Sequence, residues 1–333
     1  MVDADTATGK ASHRLVDVEG ARIHLVEQGE GPLVLMVHGF PESWYSWRHQ
    51  LPAVAASGFR AVAIDVRGYG RSSKPLEVEA YRMLLHVADN AGVVRALGEE
   101  RAIIVGHDWG SPIAANTALL RPDLFVAVAL MSVPYAPRNR HRPTETFARM
   151  GGDEEFYINY FQEPGRAEAE IEVDVRGWLA GFYVGASGNR VRPPDGGSMI
   201  TVGPGGRLSD RFVVGEELPA WLSEADLDVY AEEFERGGFR GPLNRYRNID
   251  RDWEDLAAWT GAPITQPSLF IGGEWDGPTA WGAGAISRYP ETLPGLVGSH
   301  ILERTGHWVQ QERADDVNRL LVEWLTGLGA AGS

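Results

Sequence analysis

Four short and nearly continuous apolar runs, spaced by helix-length stretches, constrain this chain more than any other feature. They are LVLMV (Leu33 to Val37), AVAID (Ala61 to Asp65), AIIVG (Ala102 to Gly106) and VAVALM (Val126 to Met131). A strand that is apolar at both parities must be covered on both faces, which is the situation of a central strand in a parallel sheet. Helical patterns fall between the runs, at about Ser43 to Ala56, Tyr81 to Leu97 and Ser111 to Leu120. The order β-α-β-α, with right-handed crossovers, predicts a doubly wound α/β domain. Ahead of it, RLVDVEGARIHLVEQG from Arg14 alternates around Glu19-Gly20 and reads as an antiparallel hairpin.

The rhythm stops after Met131. From Pro134 to Asn248 the sequence offers aromatic-rich helical stretches and no buried strand, which predicts a helical cap inserted into the α/β unit. The chain then divides into core residues 1–133, cap residues 134–248 and core residues 249–333. Within the cap, Arg192 to Asp210 is rich in Gly and Pro, a composition that favours a mobile loop able to gate access. The α/β rhythm returns with SLFIGG (Ser268 to Gly273), a helix near Thr279 to Tyr289, the strand SHILER (Ser299 to Arg304) and an amphipathic helix from about Arg313 to Leu328. A chain of 333 residues has room for one large α/β domain carrying such an insertion.

Charge and cysteine content narrow the partners. Against 46 acidic residues stand 31 basic ones, a formal net charge of −15, which repels phosphate backbones and anionic membrane surfaces. No nucleic acid is expected as a partner. The lack of any Cys excludes disulfides, thiolate chemistry and Cys-ligated zinc, and fits a reducing compartment. The first residues, MVDADTATGKAS, have no apolar core of a signal peptide, and no stretch approaches the ~18 apolar residues of a membrane span. A cytoplasmic enzyme with no membrane association is the expectation.

The chemistry is concentrated at Gly106-His107-Asp108-Trp109-Gly110, where strand AIIVG runs into a helix. This is the G-x-S-x-G elbow with Asp in place of Ser. Small residues at 106 and 110 permit the sharp turn, and Pro112 falls in the first helical turn, where its missing N–H matters little. Asp108 at a helix N-terminus is kept ionised by the helix dipole, which suits a nucleophile and equally suits a plain N-cap. A carboxylate nucleophile displaces at saturated carbon and leaves an alkyl ester, so epoxides and haloalkanes stand out as substrates.

Of nine histidines, His307 in ERTGHWVQQE lies after the last strand and before the C-terminal helix, where the base of this constellation is expected. His38 and His107 adjoin other functional loops, and His300 falls in a strand. The orienting acid must come from a loop after a late strand. No Asp or Glu occurs between Val126 and Thr144, which leaves GGEWDG, with Asp276 preferred for its flanking Gly and Glu274 as the alternative. Strand LVLMV ends in His38-Gly39-Phe40-Pro41, so the backbone N–H groups of Phe40 and Trp109 form the expected oxyanion hole, with both rings lining an apolar pocket.

Six segments in order then carry a family resemblance: HGFPESWYSWRHQ (His38 to Gln50), DVRGYGRSS (Asp65 to Ser73), GHDWG (Gly106 to Gly110), YINYFQEPG (Tyr157 to Gly165), GFRGPLNRYRN (Gly238 to Asn248) and GHWVQQE (Gly306 to Glu312). They resemble the soluble-type epoxide hydrolases of the α/β-hydrolase superfamily, bacterial members in particular. The likeness spans the chain apart from the first dozen residues and the Gly-rich cap loop. It implies an α/β-hydrolase fold with a mostly parallel eight-stranded sheet and a helical cap. It also implies hydrolysis of a small-molecule epoxide to a vicinal diol through an ester on Asp108, with His307 activating water and no metal or organic cofactor.

In that family two cap tyrosines bind the epoxide oxygen, and Tyr157 and Tyr246 occupy the matching positions, with Tyr160 one helical turn away as the alternative to Tyr157. A Tyr O–H can share or donate its proton to the alkoxide that ring opening creates. Arg245 departs from the aromatic residue that often precedes the second tyrosine, and is expected either at the cap surface or narrowing the pocket. Whether the chain pairs as a homodimer stays open. A haloalkane dehalogenase shares the Asp and His, yet usually carries Asn at the position of Phe40. A defluorinating relative usually has Arg at the position of Trp109, and an esterase would need Ser at 108. A catalytically silent binding module on this fold would have no use for the full set.

Overall fold

The computed structural model describes residues 11–190 and 198–330. The chain opens on a hairpin, β1 (Ser12–Val18) and β2 (Ala21–Gln28), whose turn uses Gly20 at φ +73°. The apolar runs follow as β3 (Leu33–Val37), β4 (Arg60–Ile64), β5 (Ala102–His107) and β6 (Phe125–Met131). A short ribbon pairs β7 (Glu155–Phe156) with β8 (Thr201–Val202), and the sheet is completed by β9 (Ser268–Gly273) and β10 (Leu296–Leu302). The eight long strands lie in the order β1-β2-β4-β3-β5-β6-β9-β10, antiparallel at β1/β2 and β2/β4 and parallel elsewhere.

Strand alternation builds two separate cores. Leu33, Leu35 and Val37 of β3 face one layer, with Val93, Val94, Ile113 and Ala114 of the helices Met83–Ala96 and Gly110–Leu120. Val34 and Met36 face the other, with Leu51 and Val54 of Gln50–Ala56 and with Val317, Leu321 and Leu325 of the C-terminal helix Ala314–Ala330. This is the doubly wound arrangement that the apolar runs require. From β3 the chain winds one way to β4 and then returns to place β5 on the other side of β3. Such a reversal opens a crevice at the C-terminal ends of the two strands, here beside the register pair Val37 and Gly106.

Between β6 and β9 the chain is mainly helical and contributes no strand to the large sheet among the described residues. Its longest helices are Val175–Ala186 and Glu224–Gly237, and Arg240–Tyr246 and Ile249–Asp255 return it to the sheet. It is fastened over the crevice by buried polar contacts. The Tyr183 hydroxyl donates to the Pro41 carbonyl at 2.5 Å, Ser46 and Tyr230 share a 2.8 Å hydroxyl pair, and the Met83 N–H donates to Asp252 at 2.6 Å.

Three expectations change. Residues 191–197 of the Gly-rich stretch lie outside the described residues, but Ser198 to Asp210 is built into β8 and a turn of 3-10 helix rather than a free loop. Glu170 accepts the Leu208 and Ser209 N–H groups there, and Arg211 pairs with Glu154 at 2.5 Å. The helix near Thr279 to Tyr289 is three short turns, Gly277–Trp281, Ala283–Ile286 and Tyr289–Thr292. Gly282 separates the first two, and a Cβ there would lie 2.2 Å from Pro134. Finally β10 starts and ends earlier than SHILER, since Arg304 at φ +53° already turns the chain toward His307.

Candidate active site

The elbow after β5 forms as its glycines require. A Cβ on Gly106 would sit 2.0 Å from the Gly110 carbonyl oxygen, and one on Gly110 would sit 1.9 Å from that of Val37, so backbone can approach backbone only with hydrogen at both places. Between them Asp108 takes φ +50°, the left-handed region that a non-glycine residue rarely enters. The residue is 7% exposed, and its Oδ1 accepts the Phe40 N–H at 2.7 Å. Phe40 and Asp108 thus meet across the β3/β5 crevice.

His307, in the loop after β10, faces two carboxylates. Its Nδ1 lies 2.8 Å from Asp276 Oδ1 and its Nε2 3.3 Å from Asp108 Oδ2. Burial works against a charged ring, but Asp276 and Asp108 outweigh it and hold the imidazole well above its ordinary range. Asp276, buried after β9, would be raised by burial, and is instead held low by His307 and by hydrogen bonds from Ser132 and Thr279. Those donors converge on Oδ2, from Ser132 Oγ at 2.7 Å and Thr279 Oγ1 at 2.8 Å. Oδ1 is thereby left to the histidine. Glu274 is exposed and accepts the Arg304 N–H at 2.8 Å, away from His307.

The helical stretch brings two phenols over this trio. Tyr246 ends the helix Arg240–Tyr246, and its ring packs at right angles 5.1 Å from Trp109 and 5.3 Å from Phe40. Tyr157 lies 6.2 Å from Tyr246 between ring centres. Burial, with the charge of Asp108 close by, pushes both phenols above their usual range, while the Trp109 indole hydrogen-bonded to Tyr246 acts the other way. Neither therefore ionises readily, which keeps a proton available for donation. The Tyr160 hydroxyl points elsewhere, donating to Glu170 at 2.6 Å.

Sequence reasoning missed a polar layer beneath the elbow. Glu42 is wholly buried, and its carboxylate accepts the Gly39 N–H at 2.8 Å, the Gln310 amide at 2.9 Å and His107 Nδ1 at 2.8 Å. His107 Nε2 in turn lies 2.8 Å from the His307 carbonyl oxygen. Both ring nitrogens face acceptors, so the layer ties the β3 loop, the elbow and the histidine loop together. Ser132, at φ +68° after β6, was missed as well. The only hint was the acid in HGFPE, which no periodicity distinguishes from a surface charge.

A cavity of about 510 Å³ opens on Asp108, Trp109 and Tyr157. Arg245 lines it too, but is 2% exposed and not at the cap surface. It pairs with Asp252, donates to the Tyr81 carbonyl at 2.6 Å and stacks 4.7 Å above the Trp109 ring. His307 and Tyr246 adjoin residues that line it, His307 Nε2 at 3.3 Å from Asp108 Oδ2 and the Tyr246 ring at 5.1 Å from that of Trp109. Among the described residues no group of three or more His, Asp or Glu is arranged to hold a metal ion, and no helix is long and apolar enough to cross a membrane.

The site's parts can attack a saturated carbon, protonate a leaving oxygen and deprotonate water, and proteins of known kind share the whole frame. A family model described as the alpha/beta hydrolase fold matches residues 32–314. The structure of an epoxide hydrolase from an endophytic Streptomyces is 70% identical, with a TM-score of 0.94, over 98% of this chain and 97% of that one. Epoxide hydrolase A from Mycobacterium thermoresistibile is 43% identical, with a TM-score of 0.89, over 96% and 99%. Epoxide hydrolase B of Mycobacterium tuberculosis is 45% identical over 350 residues, covering 95% of this chain and 98% of its own.

Proposed function

Because the chain belongs to the α/β-hydrolase family and is an epoxide hydrolase, we propose that Asp108 is its nucleophile, His307 its base and Asp276 the acid that orients the base. One observation carries this assignment: Asp108 Oδ1 is held by the Phe40 N–H at 2.7 Å while its Oδ2 stands 3.3 Å from a histidine that Asp276 grips at 2.8 Å.

An epoxide enters the cavity with its oxygen toward Tyr157 and Tyr246. Asp108 Oδ2 attacks a ring carbon from the opposite side, the C–O bond breaks, and a tyrosine proton passes to the departing oxygen. The product is a hydroxyalkyl ester on Asp108. Esterification removes the Asp108 charge, and with it one of the two influences that raise the His307 pKa. The His307 ring then holds its proton less tightly and gives it up to solvent, so that a neutral imidazole is present when one is needed to accept a proton. It takes a proton from water, which adds to the ester carbonyl carbon of Asp108. The Phe40 and Trp109 N–H groups receive the resulting oxyanion; its collapse breaks the ester C–O bond, and the leaving oxygen takes the proton from His307. The proton of the regenerated Asp108 carboxyl returns to the tyrosinate, and the diol leaves.

We assign residues 134–248 to a cap and residues 1–133 and 249–333 to the catalytic core, because both phenols come from the former and Asp108, Asp276 and His307 from the latter. The absence of Cys and the acidic charge support a cytoplasmic enzyme acting on a diffusible small epoxide. The test of the ester route is a single turnover in heavy-oxygen water with enzyme in excess. The diol should take its new oxygen from unlabelled Asp108, and label in the first-turnover diol would overturn the route.

A further inference from the structure

The cavity beside Asp108 is walled mainly by apolar and aromatic groups, and its outer part carries the half-exposed Trp259 and Trp281. Yet the segment that follows β6 reads Arg138-Asn139-Arg140-His141-Arg142, a basic run in a chain of net charge −15. Arg142 pairs with Glu254 at 2.6 Å, and His141 stands 3.9 Å from Glu145. Arg138, which lines the cavity, has no carboxylate within ion-pair distance among the described residues.

What holds Arg138 is neutral. Its Nε donates to the Trp253 carbonyl at 2.7 Å, Nη1 reaches Thr260 Oγ1 at 3.4 Å, and its guanidinium carbon lies 3.6 Å from the centre of the Trp253 ring. Stacking and the Nε bond fix the plane of the fork, so little rotamer freedom is left to lose on meeting an anion. Asp252, which lines the cavity together with Asp108, is already neutralised by Arg245 and does not oppose one.

We propose that Arg138 determines specificity by receiving the carboxylate of an epoxide whose apolar, ring-bearing body fills the aromatic cavity and whose oxirane lies at Asp108. A carboxylate suits the site better than a phosphate dianion, because one half-buried guanidinium can match one negative charge in fork geometry. A ring-bearing body suits it because Trp109, Phe147, Tyr157, Trp253 and Trp281 are among the residues that line the space. The proposal rests on Asp108 being the nucleophile and adds the chemistry of the substrate's other end.

The test is a series of phenyl epoxides bearing a para carboxylate on tethers of increasing length, each compared with its primary amide. At one tether length the wild type should show a KM about 10-fold lower for the carboxylate, with kcat little changed, as for one charge-assisted contact. Arg138→Gln should erase that difference and Arg138→Lys should restore part of it, each read as the ratio of acid to amide within the same variant. Equal KM for acid and amide at every length, or an equal loss for both in Arg138→Gln, would overturn the proposal while leaving the nucleophile assignment intact. Turnover of unsubstituted phenyl epoxide by Asp108→Asn at the wild-type rate would instead overturn that assignment, and this inference with it.

Discussion

Ser132 stands behind Asp276, its hydroxyl 2.7 Å from Oδ2 and 3.0 Å from His307 Nδ1. By occupying Oδ2 it leaves Oδ1 to the histidine. Ser132→Ala should therefore slow ester hydrolysis more than ester formation, by about 10-fold, since Thr279 still donates to the same oxygen. Rapid-quench measurement of the two steps checks this, and equal slowing of both would argue for a merely structural serine.

The phenols give a graded comparison within one short segment. Tyr157→Phe or Tyr246→Phe should lower ester formation by about 10- to 1000-fold, the scale of losing one oxyanion donor. Tyr160→Phe should leave it unchanged, because that hydroxyl is spent on Glu170 at 2.6 Å. Stopped-flow fluorescence reads ester formation directly, and loss in Tyr160→Phe alone would reverse the assignment. The double change at 157 and 246 need not equal the product of the singles, since the two donors would share one charge.

Glu42 ties stability to acid. Burial would raise its carboxyl, but His107, His38 and the Gly39 N–H bring it from 4.5 to about 2. A folded pKa below the unfolded one contributes stability that is present above the unfolded value and is lost as pH falls through the folded value. Glu42→Gln should thus lose up to about 3 kcal/mol at neutral pH and show a flatter stability profile between about pH 4.5 and 2. Urea unfolding across that range checks it, and parallel profiles for mutant and wild type would refute it.

Arg245 invites a cycle. Arg245→Met leaves Asp252 buried and uncompensated, which should cost about 3–5 kcal/mol, whereas Arg245→Met with Asp252→Asn should recover most of it. Thermal unfolding of Arg245→Met, Asp252→Asn and the double variant decides, and additive losses would show that the two side chains do not act as a pair.

How much of this was legible beforehand depended on whether a local pattern existed. Strands β3, β5, β6 and β9 could be placed within a residue or so because burial on both faces leaves an unbroken apolar run. Asp108 was marked by its flanking glycines and by the strand-to-helix context. Arg245 and Glu42 were not legible, because a lone charge in sequence looks the same whether solvated or buried against a partner far along the chain. Gln310 and Glu42, which hydrogen-bond at 2.9 Å, are 268 positions apart. No spacing separated Tyr157 from Tyr160 either, and only the resemblance favoured the former.

His307 offers the most discriminating prediction, because the proposed route gives it work only in the second half-reaction. In His307→Gln the nucleophile keeps its Phe40 contact and the phenols keep their place, so the epoxide should still open. Water activation should fail, and the ester on Asp108 should build up as one equivalent without turnover. Intact-protein mass should rise by the whole mass of the epoxide, and peptide mapping should find it on Asp108. The wild type adds a pH argument of definite sign. The ordinary imidazole value is 6.5, and in the free enzyme Asp276 and Asp108, against burial, hold His307 well above it. Its stabilising charge is then complete below the unfolded value and disappears only as pH rises through the folded one. Alkylation neutralises Asp108, so the pH at which ester hydrolysis gains its base should lie below the pH at which the free enzyme loses the His307 proton. Single-turnover hydrolysis against pH, set beside NMR titration of the free enzyme, reads both midpoints. Coincident midpoints, together with no trapped ester in His307→Gln, would remove the histidine from the second step.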